Sequence, residues 1–416
     1  MDSDLIKGRM NSSEPVTSSE YSAYSNLYKN ELLENVLPFW LRHSIDQQHG
    51  GFFTCLRRDG SVYDTDKFVW LQGRQIWCYS YMYHNVAQKE EWLNMALHGA
   101  AFMEKFGREK ETGNWYFSLT QEGKPLTQPY NIFSDCFAAM GFAALDKIQP
   151  QDRYKEIAAG TFENILRRKD NWKGQYNKAY PGTRPLKGFS LPMILCNLSL
   201  EMEHLLGAAR VDEFIPTVIH EVMEVFYQPE QQLILENVQP NGAFSNSFEG
   251  RLINPGHTIE AMWFIMDLAK RMNDTSLIRK ACDIMLNTLE YGWDKEMGGI
   301  FYFMDVLGNP PQQLEWDQKL WWVHVEALVA LAKGYELTGD QRCVEWFRKV
   351  HAYSWKHFRD EQHGEWFGYL NRRGEVLLDL KGGKWKGCFH IPRSLYQVWK
   401  TWERIEERTA AGHLPA

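Results

Sequence analysis

No run of residues in this chain is long and apolar enough to span a bilayer, and residues 1 to 20 are polar, without the hydrophobic segment of a secretory leader. The expectation is a cytoplasmic protein with no membrane partner, a loose lead-in over residues 1 to 20 and a short tail over 409 to 416. Cysteine is sparse. Cys55, Cys78, Cys136, Cys196, Cys282, Cys343 and Cys388 are odd in number, scattered, and form no C-x-x-C pair. That argues against a disulfide framework or a zinc knuckle and for a reducing compartment. A basic excess is also missing: 46 Lys and Arg stand against 53 Asp and Glu, for a net charge of −7. Nothing there suits a phosphate backbone, so nucleic acid is not an expected partner. No G-x-x-x-x-G-K-[ST] phosphate loop or G-x-S-x-G nucleophile elbow occurs, and the glycines from Gly174 to Gly182 are too loosely spaced to substitute for the former.

What is abundant is aromatic surface, 14% of the chain with 17 tryptophans. Flat rings of that number either fill a large core or line a pocket for sugar rings.

A phrase recurs along the chain. Asp46-Gln47-Gln48-His49-Gly50-Gly51-Phe52-Phe53, an acidic residue, a small turn and an aromatic pair, returns from Glu109, from Asp294 (with Met297-Gly298-Gly299-Ile300-Phe301-Tyr302) and from Asp360 (with His363-Gly364-Glu365-Trp366-Phe367). The gap of 185 between the second and third copies predicts two degenerate ones, found at Asp170 and Glu230, which gives spacings of 63, 61, 60, 64 and 66. Each unit has room for a hairpin and two helices. The first helix is apolar on most faces, starting near Val69, Ile132, Gly188, Gly256, Leu320 and Phe389. The second is amphipathic, as over Glu91 to Phe106, Arg153 to Arg167, Val211 to Tyr227, Ser276 to Tyr291 and Arg342 to Phe358. Apolar helices belong inside and half-polar ones outside. Six pairs with no linker between them predict one all-α domain over 21 to 408, an (α/α)6 barrel with short β-hairpins at one end. An open superhelix would need polar capping repeats, and none is present.

If the ring closes, the first turns of the six inner helices face one cavity. The polar residues there are Arg74, Asp135, Asn197 deeper in the third helix, His257 with Glu260, Glu326, and His390 with Arg393. Charged groups among apolar helices are costly unless they are paired or used. Alone, His257 and Glu260 read more readily as a satisfied core histidine and its neighbour; a whole ring of such groups favours function. Asn254-Pro255-Gly256-His257 puts an imidazole at a helix start, where free N–H groups and the dipole favour an anion. The spacing offers no metal-ligand pattern, and the available chemistry is acid and base. Histidines from two different repeats can approach a carbon from opposite faces, while Arg74 or Arg393 stabilises an enolate oxygen. An inverting glycosidase using a pair among Asp135, Glu260 and Glu326 would leave both histidines without a role. Cys388 stands two residues from His390, but adjacency along a helix does not set a thiol against an imidazole.

Trp70 to Trp77, Asn254 to Trp263, Leu314-Glu315-Trp316 with Lys319 to Glu326, and Lys381 to Arg393 together resemble the N-acylglucosamine 2-epimerase family, whose vertebrate members are also called renin-binding protein. The resemblance runs from about Tyr28 to Arg393. It implies an (α/α)6 barrel, a homodimer, and interconversion of N-acetylglucosamine and N-acetylmannosamine, a sialic acid precursor, by moving the C2 proton. It further implies His257 and His390 as the acid/base pair, Glu326 as an essential carboxylate, Arg74 near the carbonyl oxygen and Glu260 as the orienter of His257. Asn197, Trp322, Trp385 and Arg393 would shape the sugar site, with Asp135 beside them. Activation by ATP without its consumption is implied as well, and the basic segment Lys173 to Lys187, with Lys178 and Arg184, is the candidate for that effector. Renin binding would follow by family analogy only. Relatives that epimerise cellobiose or mannose carry a histidine one turn after the helix-three Asn; here Glu201 stands there, which favours the N-acetyl sugar.

Overall fold

The computed structural model describes residues 16–171 and 173–412. Most of the expected lead-in, and Trp172 of the third repeat phrase, lie outside the described residues. Inner helices are α3 (Val69–Asn85), α5 (Phe133–Ile148), α7 (Ser190–Leu206), α9 (Pro255–Arg271), α11 (Trp321–Thr338) and α13 (His390–Ala410). Between them run the outer helices α4 (Glu90–Phe106), α6 (Asp152–Arg168), α8 (Ala208–His220, prolonged by a π turn over Glu221–Val225), α10 (Thr275–Gly292) and α12 (Gln341–His357). The sixth outer position is filled from the other end of the chain by α1 (Ser18–Asn30), a π turn over Glu31–Val36, and α2 (Leu37–His43), which begins with Pro38 in its first turn. This is the (α/α)6 barrel expected from the repeat.

Closure depends on side chains that a repeat alone does not reveal. Across the seam between α3 and α13, Trp77 meets Phe389 edge-on at 5.2 Å between ring centroids, and Tyr81 meets Tyr396 at 5.2 Å. On the outside, Tyr24 of α1 stacks on Trp402 of α13. Glu20, fully buried, pairs with Arg348 of α12 at 2.9 Å. Residues 18 to 20 therefore belong to the ring and not to a loose lead-in: they open α1, and Glu20 is one buried partner of Arg348. At the other end α13 runs to Ala410, past the expected boundary at 408, and residues 413 to 416 lie outside the described residues.

The recurring acidic residue has a structural cause. Asp294 accepts backbone N–H bonds from Glu296 and Met297 with one oxygen, holding the turn, and bonds buried Lys319 at 3.1 Å with the other. Asp46 does the same with Gln48, His49 and Lys67, and Asp360 with Gln362 and Lys381. Each lysine lies on the segment leading to an inner helix, so the pair ties a hairpin to the helix start that faces the cavity. The turn itself demands glycine: Gly298 and Gly299 sit at φ +76° and +77°, and a Cβ on Gly299 would come within 2.6 Å of the Tyr353 ring. At Asp170 and Glu230 the acid is exposed, and the Asp170 copy forms 3-10 turns instead of a hairpin.

Short antiparallel pairings link neighbouring repeats just above the inner helices: Lys67–Phe68 with Ser118–Leu119, Lys187–Gly188 with Asn237–Val238, Leu252–Ile253 with Met304–Asp305, and Lys319–Leu320 with Tyr369–Leu370. They collect all the hairpins at the end of the barrel where the inner helices begin. Among the described residues, no helix is long and apolar enough to cross a membrane.

Candidate active site

The start of α9 shows how the sequence builds this end. Asn254 caps the helix, its side chain accepting from the His257 N–H at 3.2 Å, and Pro255 occupies the first position, where no N–H is needed. Gly256 follows because a Cβ there would lie 2.7 Å from the Trp322 ring. His257 then projects into a cavity of about 530 Å³ lined by, among others, Arg74, Glu260, Trp322, Trp385 and His390. Trp322 packs against both imidazoles, its ring 5.2 Å from that of His257 and 5.8 Å from that of His390.

Each histidine is anchored through Nδ1, which leaves Nε2 as its other titrating atom. His390 Nδ1 lies 2.7 Å from Glu326 Oε1. Glu326 is fully buried behind it and also accepts from Arg393 at 2.7 Å, Trp263 Nε1 at 3.0 Å and Ser394 Oγ at 3.3 Å. His257 Nδ1 lies 3.0 Å from both oxygens of Glu236, which sits between the short strands Leu233–Ile234 and Asn237–Val238. Burial works against the His257 imidazolium, but the charge and hydrogen bond of Glu236, with Glu260 beyond, outweigh it and raise its pKa above the usual 6.5. At His390 burial and the Arg74 charge act together and hold the pKa well below that value.

Arg74 is packed among rings, its guanidinium carbon 4.4 Å from Trp70, 4.0 Å from Phe137 and 4.6 Å from Phe389. Gly73 makes this possible, since a Cβ there would strike the Phe137 carbonyl at 2.4 Å. Burial pushes the Arg74 pKa down to about 9, so it remains a cation at neutral pH. Oxygen and nitrogen atoms of Glu260, Glu326 and His390 come within 4.8 Å of one another, a donor set a divalent ion could use. Arg393 already bonds both carboxylates and supplies the positive charge there.

The family model described as N-acylglucosamine 2-epimerase (GlcNAc 2-epimerase) matches residues 51–393. The chain belongs to the N-acylglucosamine 2-epimerase family. It is 40% identical over 370 residues to the N-acylglucosamine 2-epimerase of Rattus norvegicus, covering 87% of this chain and 88% of that one, and 38% identical to the Homo sapiens enzyme. The cellobiose 2-epimerase of Bacteroides fragilis is 22% identical. Among solved structures, cellobiose 2-epimerase from Bacillus thermoamylovorans B4167 superposes with a TM-score of 0.79 at 19% identity, over 91% of this chain and 99% of that one; this likeness shows the shared fold.

Within this family member the expected site residues fall in different places. Arg74, His257, Glu260, Trp322, Trp385 and His390 line the cavity. Asn197 and Arg393 face a second chamber of about 170 Å³, further down the inner helices, together with Glu201, which accepts from Trp77 at 2.9 Å. Asn197 is eight residues into α7 and so lies below the first-turn level of the cavity, not in its wall. Glu326 is behind His390, out of reach of a ligand. Asp135 points outward from α5, bonded at 2.6 Å to Arg168 of α6, and takes no part in the cavity. Lys178 and Arg184 lie on an exposed loop, with Arg184 3.9 Å from Glu249.

One orientation differs from expectation. Glu260 does not hold His257; its carboxylate accepts from Arg393, and Glu236 takes the histidine. A carboxylate three residues along the helix competes with any acid the hairpins bring over, and here the buried guanidinium claims it first. Glu236 carried no motif of its own. Its only signal was its place six residues after Glu230, the acid that opens the most degenerate repeat copy. Cys388 turns away from His390, its sulfur 3.7 Å from that of Cys78.

Proposed function

We propose that this protein catalyses the reversible C2 epimerisation of N-acetyl-D-glucosamine and N-acetyl-D-mannosamine. The observation that carries the reading is two histidines lining one cavity, both against Trp322, each bonded through Nδ1 to a carboxylate. With the sugar in its open-chain form, the C2 hydrogen is acidified by the C1 aldehyde. One imidazole removes that proton through Nε2, the C–H electrons form a C1–C2 double bond, and the carbonyl oxygen becomes an enolate oxygen. Arg74, a cation inside an aromatic cage, is the group suited to stabilise that oxygen. The other imidazole, protonated, delivers a proton to the opposite face of C2 as the enolate collapses to the aldehyde. The His257 pKa is raised and that of His390 lowered, so a single proton on the pair rests preferentially on His257, which leaves His390 as the base.

An inverting glycosidase fits less well. It needs two carboxyl groups about 6.5–9.5 Å apart with water between them, whereas Glu260 and Glu326 share the Nη2 nitrogen of Arg393 and Glu326 is inaccessible. The cellobiose 2-epimerase of Bacteroides fragilis, at 22% identity, is a more distant relative than the N-acylglucosamine 2-epimerases at about 40%, which favours the N-acetyl sugar over a free disaccharide. From family membership we add three further proposals: a homodimer, a cytoplasmic location, and ATP as an effector that is not consumed, with Lys178 and Arg184 its candidate contacts.

The test is proton NMR in D2O with either epimer. Loss of the C2 proton signal together with growth of the other epimer is expected. A sugar that keeps its C2 proton with active protein present would end this reading.

A further inference from the structure

We infer that Glu236 is the positioning residue of one half-reaction: it fixes the tautomer and orientation of His257, and so serves proton transfer on one face of C2 only. The inference rests on the two-base reading above.

The geometry separates Glu236 from the rest of the site. Both of its oxygens lie 3.0 Å from His257 Nδ1, and its carboxylate has no other hydrogen-bond partner among the described residues. It does not line the cavity. Its backbone is fixed on both sides, the N–H donating to the Leu252 carbonyl at 2.9 Å and the carbonyl accepting from Phe189 at 2.9 Å. Leu252 belongs to the strand that leads into α9, and Phe189 precedes the first residue of α7. Glu236 is therefore bolted to the starts of two inner helices, one of which presents His257. A carboxylate held there keeps the proton of a neutral imidazole on Nδ1, which leaves the Nε2 lone pair free to act as base. When the ring is charged, the same bond leaves Nε2–H as the proton to be given up. Freed from Glu236, the imidazole can place its single proton on either nitrogen and rotate about its side-chain bonds.

No equivalent dependence exists for His390, whose Nδ1 is held by Glu326 within a separate buried network. Removing the Glu236 charge should thus impair one base and spare the other. Inversion needs both histidines, so epimerisation must fall in both directions, as the fixed equilibrium also requires. Exchange of the C2 proton with solvent needs only the base that removes it. Exchange can therefore fail for one epimer and survive for the other.

The experiment compares the initial C2 proton wash-out of each epimer, started separately in D2O, for the wild type, E236Q, H257N and the double variant. Folding is checked by far-UV circular dichroism. The expected result for E236Q is inversion slowed by about 10- to 100-fold, by analogy with the loss of the carboxylate behind a metal-bound imidazole, with wash-out slowed similarly for one epimer and nearly unchanged for the other. H257N should spare the same epimer, and adding E236Q to it should cost nothing further. Equal loss for both epimers, no loss for either, or additive losses in the double variant would overturn the assignment. If E236Q does not fold, E236D, which keeps the charge but shortens the reach, is judged by the same one-sided criterion. A wild type that exchanges neither epimer would refute the epimerase reading itself, whereas exchange of both with a symmetrical E236Q loss would refute only this inference.

Discussion

His257 and His390 share one cavity, yet their supports are built differently. His390 leans on Glu326, a fully buried carboxylate with four donors around it, from α9 and from α13 itself. His257 leans on Glu236, a carboxylate on a connecting segment with one partner. The first support is redundant and dry; the second is single and closer to solvent, with side-chain exposures of 25% for His257 and 12% for Glu236. Desolvation and nearby guanidinium groups lower the pKa of His390, while a bonded carboxylate raises that of His257. Identical side chains are thus shifted in opposite directions by their surroundings.

The largest contrast should appear when the two carboxylates are neutralised in turn. E326Q leaves Arg393, buried and charged, with Glu260 as its one bonded carboxylate, and turns one of the two oxygens that serve His390, Arg393, Ser394 and Trp263 into an NH2 donor with nothing to donate to among them. We expect a stability loss of about 3 kcal/mol, the lower end for breaking a buried ion pair, together with a severe loss of turnover. E236Q touches a partly solvated pair, and its stability cost should stay below about 1 kcal/mol despite its effect on turnover. Urea titrations of both variants check this. Equal destabilisation would mean that the two supports are energetically alike and that the contrast is only visual.

The pH dependence of kcat/KM is the next test. The groups facing His257 are Glu236 and Glu260; those facing His390 are Glu326, Arg74, Glu260, Arg393 and His257 itself. The productive form carries one proton on the pair. It is lost at low pH when His390 gains a second, below 6.5 because its pKa is lowered, and at high pH when His257 gives up its own, above 6.5 because its pKa is raised. A bell with one limb on each side of 6.5 is expected. Since the pair titrates as a unit, both limbs should be the same whichever epimer is supplied. In E236Q the upper limb should move toward lower pH while the lower limb holds. A lower limb that moved instead would reverse the assignment of acid and base.

How much of this was legible in the sequence follows from which forces act locally. The repeat announced the barrel because Asp46, Asp294 and Asp360 each perform a local task, capping a turn and binding a buried lysine, that leaves a fixed pattern of residue types. The same logic located His257, His390 and Arg74, which sit in the first two turns of inner helices where the repeat could place them. What the sequence did not show depends on contacts between remote segments. The choice of Glu236 over Glu260 for His257 is decided by where Arg393, 133 residues from Glu260, delivers its guanidinium. The outward turn of Asp135 follows from Arg168 on the neighbouring outer helix. Helical spacing predicts depth along the barrel only roughly: Asn197, expected deeper in its helix and to help shape the sugar site, opens on the second chamber, and Glu326 meets His390 from behind.

The smallest effect concerns the redundancy of the His390 support. Ser394 donates to Glu326 Oε1 at 3.3 Å, the longest of the four bonds that carboxylate accepts, while His390 and Arg393 bond the same oxygen at 2.7 Å. S394A removes one neutral donor and leaves two shorter, charge-assisted or ring N–H donors on the same atom. A single hydrogen bond of this kind contributes about 0.5–1.5 kcal/mol net. A fall in kcat/KM of less than about tenfold is therefore expected, with unchanged wash-out symmetry between epimers because the orientation of His390 persists. A one-sided loss in S394A resembling that of E236Q would show that Glu326 depends on each of its donors. The two supports would then be equally fragile, and burial alone would separate the two histidines.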